Sequence, residues 1–237
     1  MIRTTIATAL IMAYASAAGG DFGYEENGAN WTDAVDPDWA ACNNGTEQSP
    51  INLTRKGTTL VKDGFPSPMM WADIPVDAGF NPDDLSQKVT LPGGFAGFTD
   101  MTSEFITDED PAGTGIFNPL QFHWHAPSEH AIDGELKDLE VHFVHQNPDT
   151  LQYSVIGVFF DMYDGGHKEN AFIQSWLDAV DQRADASPPD IALAAFIDSI
   201  DTSRVWNYAG SFTTPPCTEG VNWNVVGEVQ SISAAQL

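Results

Sequence analysis

Five of the six histidines fall between residues 123 and 145, and their spacing is that of a metal centre. His123 and His125 are two apart in the alternating stretch 120–125, so on a β-strand both leave the same face. Side chains two apart on a strand lie about 7 Å from each other, close enough for two imidazoles to converge on one ion. His142, in the alternating stretch 140–145, offers a third nitrogen from a neighbouring strand. Three neutral imidazoles suit Zn²⁺ and leave the fourth tetrahedral position open to water, the form of a catalytic rather than a structural site. A lone histidine in a strand is ordinarily a hydrogen-bonded structural residue, and that reading is kept for His130 and His145, with Glu129 or strand neighbours as partners. Gln121 and Glu140 sit two residues from ligand candidates on the same faces, placed to accept the second ring N–H and fix each tautomer. A buried Glu140 would be costly without such a partner.

Several elements must position these side chains. The stretches 120–125 and 140–145 alternate as half-buried strands, and 153–160 is apolar enough for a central strand. Phe172, Ile173, Trp176, Leu177 and Val180 recur at helical spacing, predicting a surface helix over 168–180. Asp190 is placed to cap a second short helix over 191–200, and 221–229 reads as another strand. Residues 21–70 and 73–115 are rich in Gly, Asn, Asp and Pro and read as loop with short strands. The expected fold is mainly β, a strand-rich single domain over 18–237 with short peripheral helices.

The 237 residues carry 34 acidic and 9 basic side chains, a net charge of −25. That balance repels phosphate backbones and anionic membrane surfaces, which excludes nucleic-acid partners. With 42% hydrophobic residues a core can form, so global disorder is excluded too. No apolar run reaches the roughly 20 residues of a membrane span. The N-terminus has a short apolar core at 6–13 behind Arg3 and an Ala-x-Ala site at 15–17, so residues 1–17 read as a secretory signal peptide. In a secreted chain Cys42 and Cys217 are expected to form a disulfide. Closing so long a loop is worth about 5 kcal/mol on the chain-entropy account. Asn30, Asn44 and Asn52 each open an Asn-x-Thr sequon and are candidate glycosylation sites.

Five ordered motifs carry a family resemblance. Gln121-Phe-His-Trp-His-Ala-Pro-Ser-Glu-His130 and Glu140-Val-His-Phe-Val-His145 resemble the two metal motifs of the α-carbonic anhydrases. Ser211-Phe-Thr-Thr-Pro-Pro-Cys217 resembles the loop that closes their site, and Tyr24-Glu-Glu-Asn-Gly-Ala-Asn-Trp31 and Glu47-Gln-Ser-Pro-Ile-Asn-Leu53 resemble their N-terminal signatures. The resemblance implies a large twisted, mostly antiparallel central sheet of α+β roll type, with helices outside. It implies zinc held by His123, His125 and His142, and reversible hydration of CO₂ to bicarbonate and a proton by zinc-bound hydroxide. Thr213 matches the threonine that accepts a hydrogen bond from that hydroxide, and Glu129 matches the carboxylate that takes the threonine proton. Val144, Val155, Phe212 and Val221 match the apolar wall for CO₂, Thr214 matches a bicarbonate contact, and Cys42–Cys217 matches the disulfide of exported members.

The sequence departs from the family pattern in three places. It has no histidine from Met1 to Phe122, where a proton shuttle would lie, and Phe95 falls at the matching position. Phe212 replaces the usual leucine and is expected to narrow the CO₂ pocket. Fourteen residues follow Trp223 where the family continues for some tens, so the domain is expected to be truncated at its C-terminus, without closing strands or the carbonyl behind His125. The alternative function is a noncatalytic extracellular module on the same scaffold, for binding, storage or a mineral matrix. The dispersed carboxylates fit a salt-tolerant extracellular enzyme better than a calcium-gathering one. A zinc hydrolase of another substrate is disfavoured by the lack of a His-Glu-x-x-His motif.

Overall fold

The structure is a computed structural model that describes residues 22–23, 26, 28–54, 89–90, 117–182 and 189–237. The signal-peptide segment, most of the loop over 55–115, Phe95 and Tyr24 of the first N-terminal signature lie outside the described residues. The chain divides into two compact units.

The larger unit comprises residues 51–208 and 222–237. Its strands are β1 (Asn52–Leu53), β2 (Val89–Thr90), β3 (Asn118–His125), β4 (Ala131–Ile132), β5 (Glu135–Leu136), β6 (Leu139–Gln146) and β7 (Tyr153–Phe160). They are joined by most of β8 (Val205–Ser211) and β9 (Glu219–Val226). Six of them form a twisted sheet in the order β2-β3-β6-β7-β9-β8, and β1-β4-β5 form a small second sheet. β2, β3, β6 and β7 pair antiparallel, while β1 pairs parallel with β4. The protein is thus mostly strand, with few short helices.

Alternation divides the sheet into two faces. Phe122, Val141, Phe143, Ile156, Val158 and Phe160 leave one face and form the core beneath two helices, α2 (Ala171–Asp181) and α3 (Leu193–Ser199). Phe172 of α2 stacks on Phe196 of α3 with ring centres 4.5 Å apart. The other face carries the alternate residues, including His123, His125, Glu140 and His142.

The helices begin later than expected. Asn170 caps α2, its Oδ1 accepting from the amides of Phe172 and Ile173, so the helix starts at Ala171 rather than 168. Asp190 is not the cap of α3. Ile191 is fully buried and the chain stays extended through it. The Ala192 amide donates to Ser175 Oγ, and the helix begins at Leu193. β9 ends at Val226 rather than 229, and the Gly227 amide that follows it donates to the Arg204 carbonyl. A Cβ on Gly227 would stand 2.9 Å from that carbonyl. Strand β8 was not foreseen. Asn207, Tyr208 and Ala209 interrupt its alternation, and only its ends are deeply buried.

The smaller unit comprises the described residues up to Pro50 together with 209–221. It holds a turn of 3₁₀ helix at Pro37–Trp39 running into α1 (Ala40–Asn44). Cys42 and Cys217 form the expected disulfide, with Cα atoms 5.0 Å apart. Ser49 and Ser211 are tied reciprocally, each amide donating to the other hydroxyl. Glu219 Oε1 accepts from the amides of Thr46 and Glu47 and from Gln48 Nε2.

Candidate metal centre

The register of β3 on β6 sets His123 directly opposite His142, and His125 opposite Glu140. The three imidazole centres lie 4.9 Å (His123–His125), 5.2 Å (His123–His142) and 4.6 Å (His125–His142) apart. One ring nitrogen from each lies within 4.8 Å of one in each of the others.

Both predicted partners are in place. Gln121 Oε1 accepts from His123 Nδ1 at 2.8 Å, which makes Nε2 the lone-pair nitrogen of that ring. Glu140 Oε1 accepts from His142 Nε2 at 2.8 Å, which makes Nδ1 the lone-pair nitrogen there. His125 Nε2 is buried and has no hydrogen-bond partner. Burial pushes the His125 pKa down to about 3, helped by the adjacent His142 and opposed by Glu140, so this ring is neutral at working pH. A neutral, buried and unpartnered imidazole nitrogen beside two rings of fixed tautomer is a fit for a zinc ion.

Glu140 does more than the sequence suggested. It is fully buried and its Oε2 accepts from the amides of Glu129 and His130, at 2.9 Å each. Its Oε1 accepts from His130 Nδ1 at 2.7 Å as well as from His142. Burial alone would push its pKa up. The His130 and His142 imidazoles outweigh that by charge and hydrogen bonding, and hold the carboxyl well below its usual range. His130, Glu140 and His142 also cluster closely enough to resemble a second metal site. Their contacts are instead hydrogen bonds, so His130 is structural as expected, but with Glu140 rather than Glu129 as its carboxylate partner.

The Glu129 carboxylate lies beside the ligand candidates, with Oε1 3.3 Å from His125 Nδ1 and Oε2 3.8 Å from His142 Nδ1. Val144 and Val155 are register partners on the histidine face, both buried. Thr213, Phe212, Thr214 and Val221 belong to the smaller unit. There Thr213 is buried in a loop whose ends are held by the Phe212 amide on the Thr218 carbonyl and the Cys217 amide on the Thr214 carbonyl. Among the sequon residues, Asn44 and Asn52 are exposed, Asn52 Oδ1 accepts from the Gly134 amide, and Asn30 Oδ1 is buried.

Three supporting residues escaped the sequence reading. Tyr208 hydrogen-bonds His130 Nε2 at 2.7 Å. Trp223 packs edge-on against His130 and His142, each with centres 4.8 Å apart. Gly157, opposite His142, leaves room for Glu140, since a Cβ there would stand 2.9 Å from Oε1. Only Gly157 had a readable signal, an isolated glycine in an apolar strand, which marks close approach of another group.

The site and the fold it sits on define a recognised class. The eukaryotic-type carbonic anhydrase profile matches residues 26–237, and the chain belongs to that family. It is 32% identical over 218 residues to alpha carbonic anhydrase 3 of Arabidopsis thaliana, covering 88% of this chain and 70% of that one. It is 29% identical over 231 residues to dioscorin DB3L of Dioscorea polystachya, covering 92% and 75%. The fungal alpha carbonic anhydrase of Aspergillus oryzae superposes with a TM-score of 0.67 at 27% identity, covering 92% of this chain and 86% of that one. Among the described residues, no helix is long and apolar enough to cross a membrane.

Proposed function

We propose that this protein is an exported zinc carbonic anhydrase that interconverts CO₂ and bicarbonate. The observation that carries the reading is the buried, unpartnered His125 Nε2 set between His123 and His142, whose tautomers Gln121 and Glu140 fix. Zinc held by these three residues supplies the Lewis acidity that makes water a nucleophile at neutral pH. The resemblance of 211–217 to the family's closing loop supports Thr213 as the residue that accepts a hydrogen bond from the attacking group. A threonine whose proton goes to a carboxylate can only accept at its oxygen, and Glu129 is assigned as that carboxylate. By resemblance, Val144, Val155, Phe212 and Val221 are assigned to the apolar wall for CO₂ and Thr214 to bicarbonate. The leader at 1–17 and the Cys42–Cys217 disulfide support an extracytoplasmic location. Asn44 and Asn52 are the exposed sequon asparagines and the candidates to carry a glycan.

Proton release is assigned to buffer, because no histidine precedes His123. A donor of pKa about 7 that protonates water alone turns over at about 10³ s⁻¹, against ~10⁶ s⁻¹ when protons are relayed. The dioscorin relative favours a second reading, a noncatalytic module on the same scaffold. Stopped-flow CO₂ hydration across a buffer series, on protein of measured zinc content, separates the two. Zinc near one per chain with a rate that climbs with buffer concentration supports the enzyme. Zinc without hydration supports the noncatalytic module, and a fast rate independent of buffer refutes the missing shuttle.

A further inference from the structure

Glu140 Oε1 is shared by two imidazoles, His142 at 2.8 Å and His130 at 2.7 Å. A carboxylate at this depth only accepts, so both rings must present N–H to it. In its neutral form His130 therefore carries its single proton on Nδ1, which leaves Nε2 as an acceptor. The partner at Nε2 is Tyr208, whose O–H must donate across the 2.7 Å contact. The donors run in one direction, from Tyr208 O–H to His130 and from His130 to Glu140, where His142 meets them. His130 and Glu140 are fully buried and His142 nearly so, which keeps water from the His130–Glu140–His142 links, while the Tyr208 end is part-buried. Trp223 braces the chain from one side, edge-on to both histidines and stacked parallel to Tyr208 at 6.3 Å.

We infer that Tyr208, acting through His130, is a positioning residue for the metal centre: its hydroxyl anchors the His130 ring at Nε2, so that Nδ1–H holds Glu140 and thereby keeps His142 Nδ1 directed at zinc. The inference rests on the proposed zinc site. It assigns a metal-retention role to a residue of β8 that is not itself a ligand candidate. Removing the hydroxyl leaves a buried lone pair on His130 Nε2. The ring, still holding its proton on Nδ1 against Glu140, loses the contact that fixes its orientation, and its hold on Glu140 loosens.

The test uses zinc-loaded protein and Tyr208→Phe, which removes one oxygen and keeps the ring on Trp223. Zinc release into excess chelator is followed by absorbance. Tyr208→Phe is expected to release zinc about 3- to 10-fold faster than wild type, below or at the low end of the 10- to 100-fold typical for direct partners of a metal ligand. Phe196→Leu, in the core on the opposite face of the sheet, serves as a destabilised control and is expected to release zinc at the wild-type rate. Imidazole ¹⁵N shifts of the wild type give an independent readout, with the proton expected on Nδ1 of His130 and Nε2 of His142. Wild-type release from Tyr208→Phe, release from Phe196→Leu as fast as from Tyr208→Phe, or a proton on Nε2 of His130 would each overturn the inference while leaving the zinc site intact. Wild-type protein that takes up no zinc would overturn the site and the inference together.

Discussion

His145 is fully buried on the core face of β6, paired in register with Ser154. Burial pushes its pKa down to about 3, against weaker opposition from backbone hydrogen bonds at Phe143 and Ser154. In the unfolded chain the same ring has a pKa of 6.5. Between those values the unfolded state binds a proton that the folded state refuses. Stability from this group is complete above pH 6.5 and is lost as pH falls toward 3. The full displacement corresponds to about 5 kcal/mol, and about 2.5 kcal/mol of it falls between pH 6 and pH 4. His125 and Glu140 also destabilise the fold in acid, so the wild type alone cannot isolate His145. His145→Gln keeps a donor and an acceptor but does not titrate. Urea unfolding of chelator-stripped wild type and variant at pH 4, 5, 6 and 7 cancels the shared terms. The wild type should lose about 2.5 kcal/mol more than the variant between pH 6 and pH 4. Parallel curves across that interval would refute the assignment of a buried neutral ring.

Gly157→Ala places a methyl group 2.9 Å from Glu140 Oε1, and should weaken zinc binding by about 10-fold in a competition titration with a chromophoric chelator. The double variant Cys42→Ser/Cys217→Ser should lose about 2–5 kcal/mol in denaturant unfolding, because the bridge closes a separation of 175 residues. Gln236 clasps the start of α2, its Oε1 accepting from the Asn170 amide and its Nε2 donating to the Asn170 carbonyl. Gln236→Ala should cost about 1–2 kcal/mol and speed amide exchange in the first turn of α2, with little change in zinc release.

The metal ligands were legible because their chemistry restricts residue type and the strand restricts spacing. His123 and His125 had to be two apart to share a face, and Gln121 and Glu140 had to be two from a ligand to reach it. The bracing residues obey no such rule. Tyr208 and Trp223 arrive from strands more than 60 residues downstream of His142, and only the pairing order of β6, β7, β9 and β8 brings them there. Their types, one tyrosine and one tryptophan, suit any core. Helix starts were misplaced for a related reason. Asp190 and Asn170 are both good capping residues, but Ile191 is drawn into the core and keeps the backbone extended past Asp190.

Parity along β6 explains how one short strand serves both the fold and the site. Glu140, His142 and Val144 leave the face shared with His123 and His125, while Val141, Phe143 and His145 leave the face beneath α2 and α3. Glu140, His142 and His145 are all deeply buried and all ionisable, so burial does not distinguish them. What separates them is what each face offers. On the histidine face Glu140 meets two imidazole donors and two amides, so its charge is kept and its pKa falls. On the core face burial outweighs the backbone hydrogen bonds that His145 meets at Phe143 and Ser154, so its charge is refused. A one-residue slip of β6 against β3 would exchange these environments, placing a carboxylate in the aromatic core and a phenylalanine among the ligands. The register that builds the core is therefore also the register that assembles the metal centre. Variants that loosen the β3–β6 pairing should lose zinc and cooperative unfolding together.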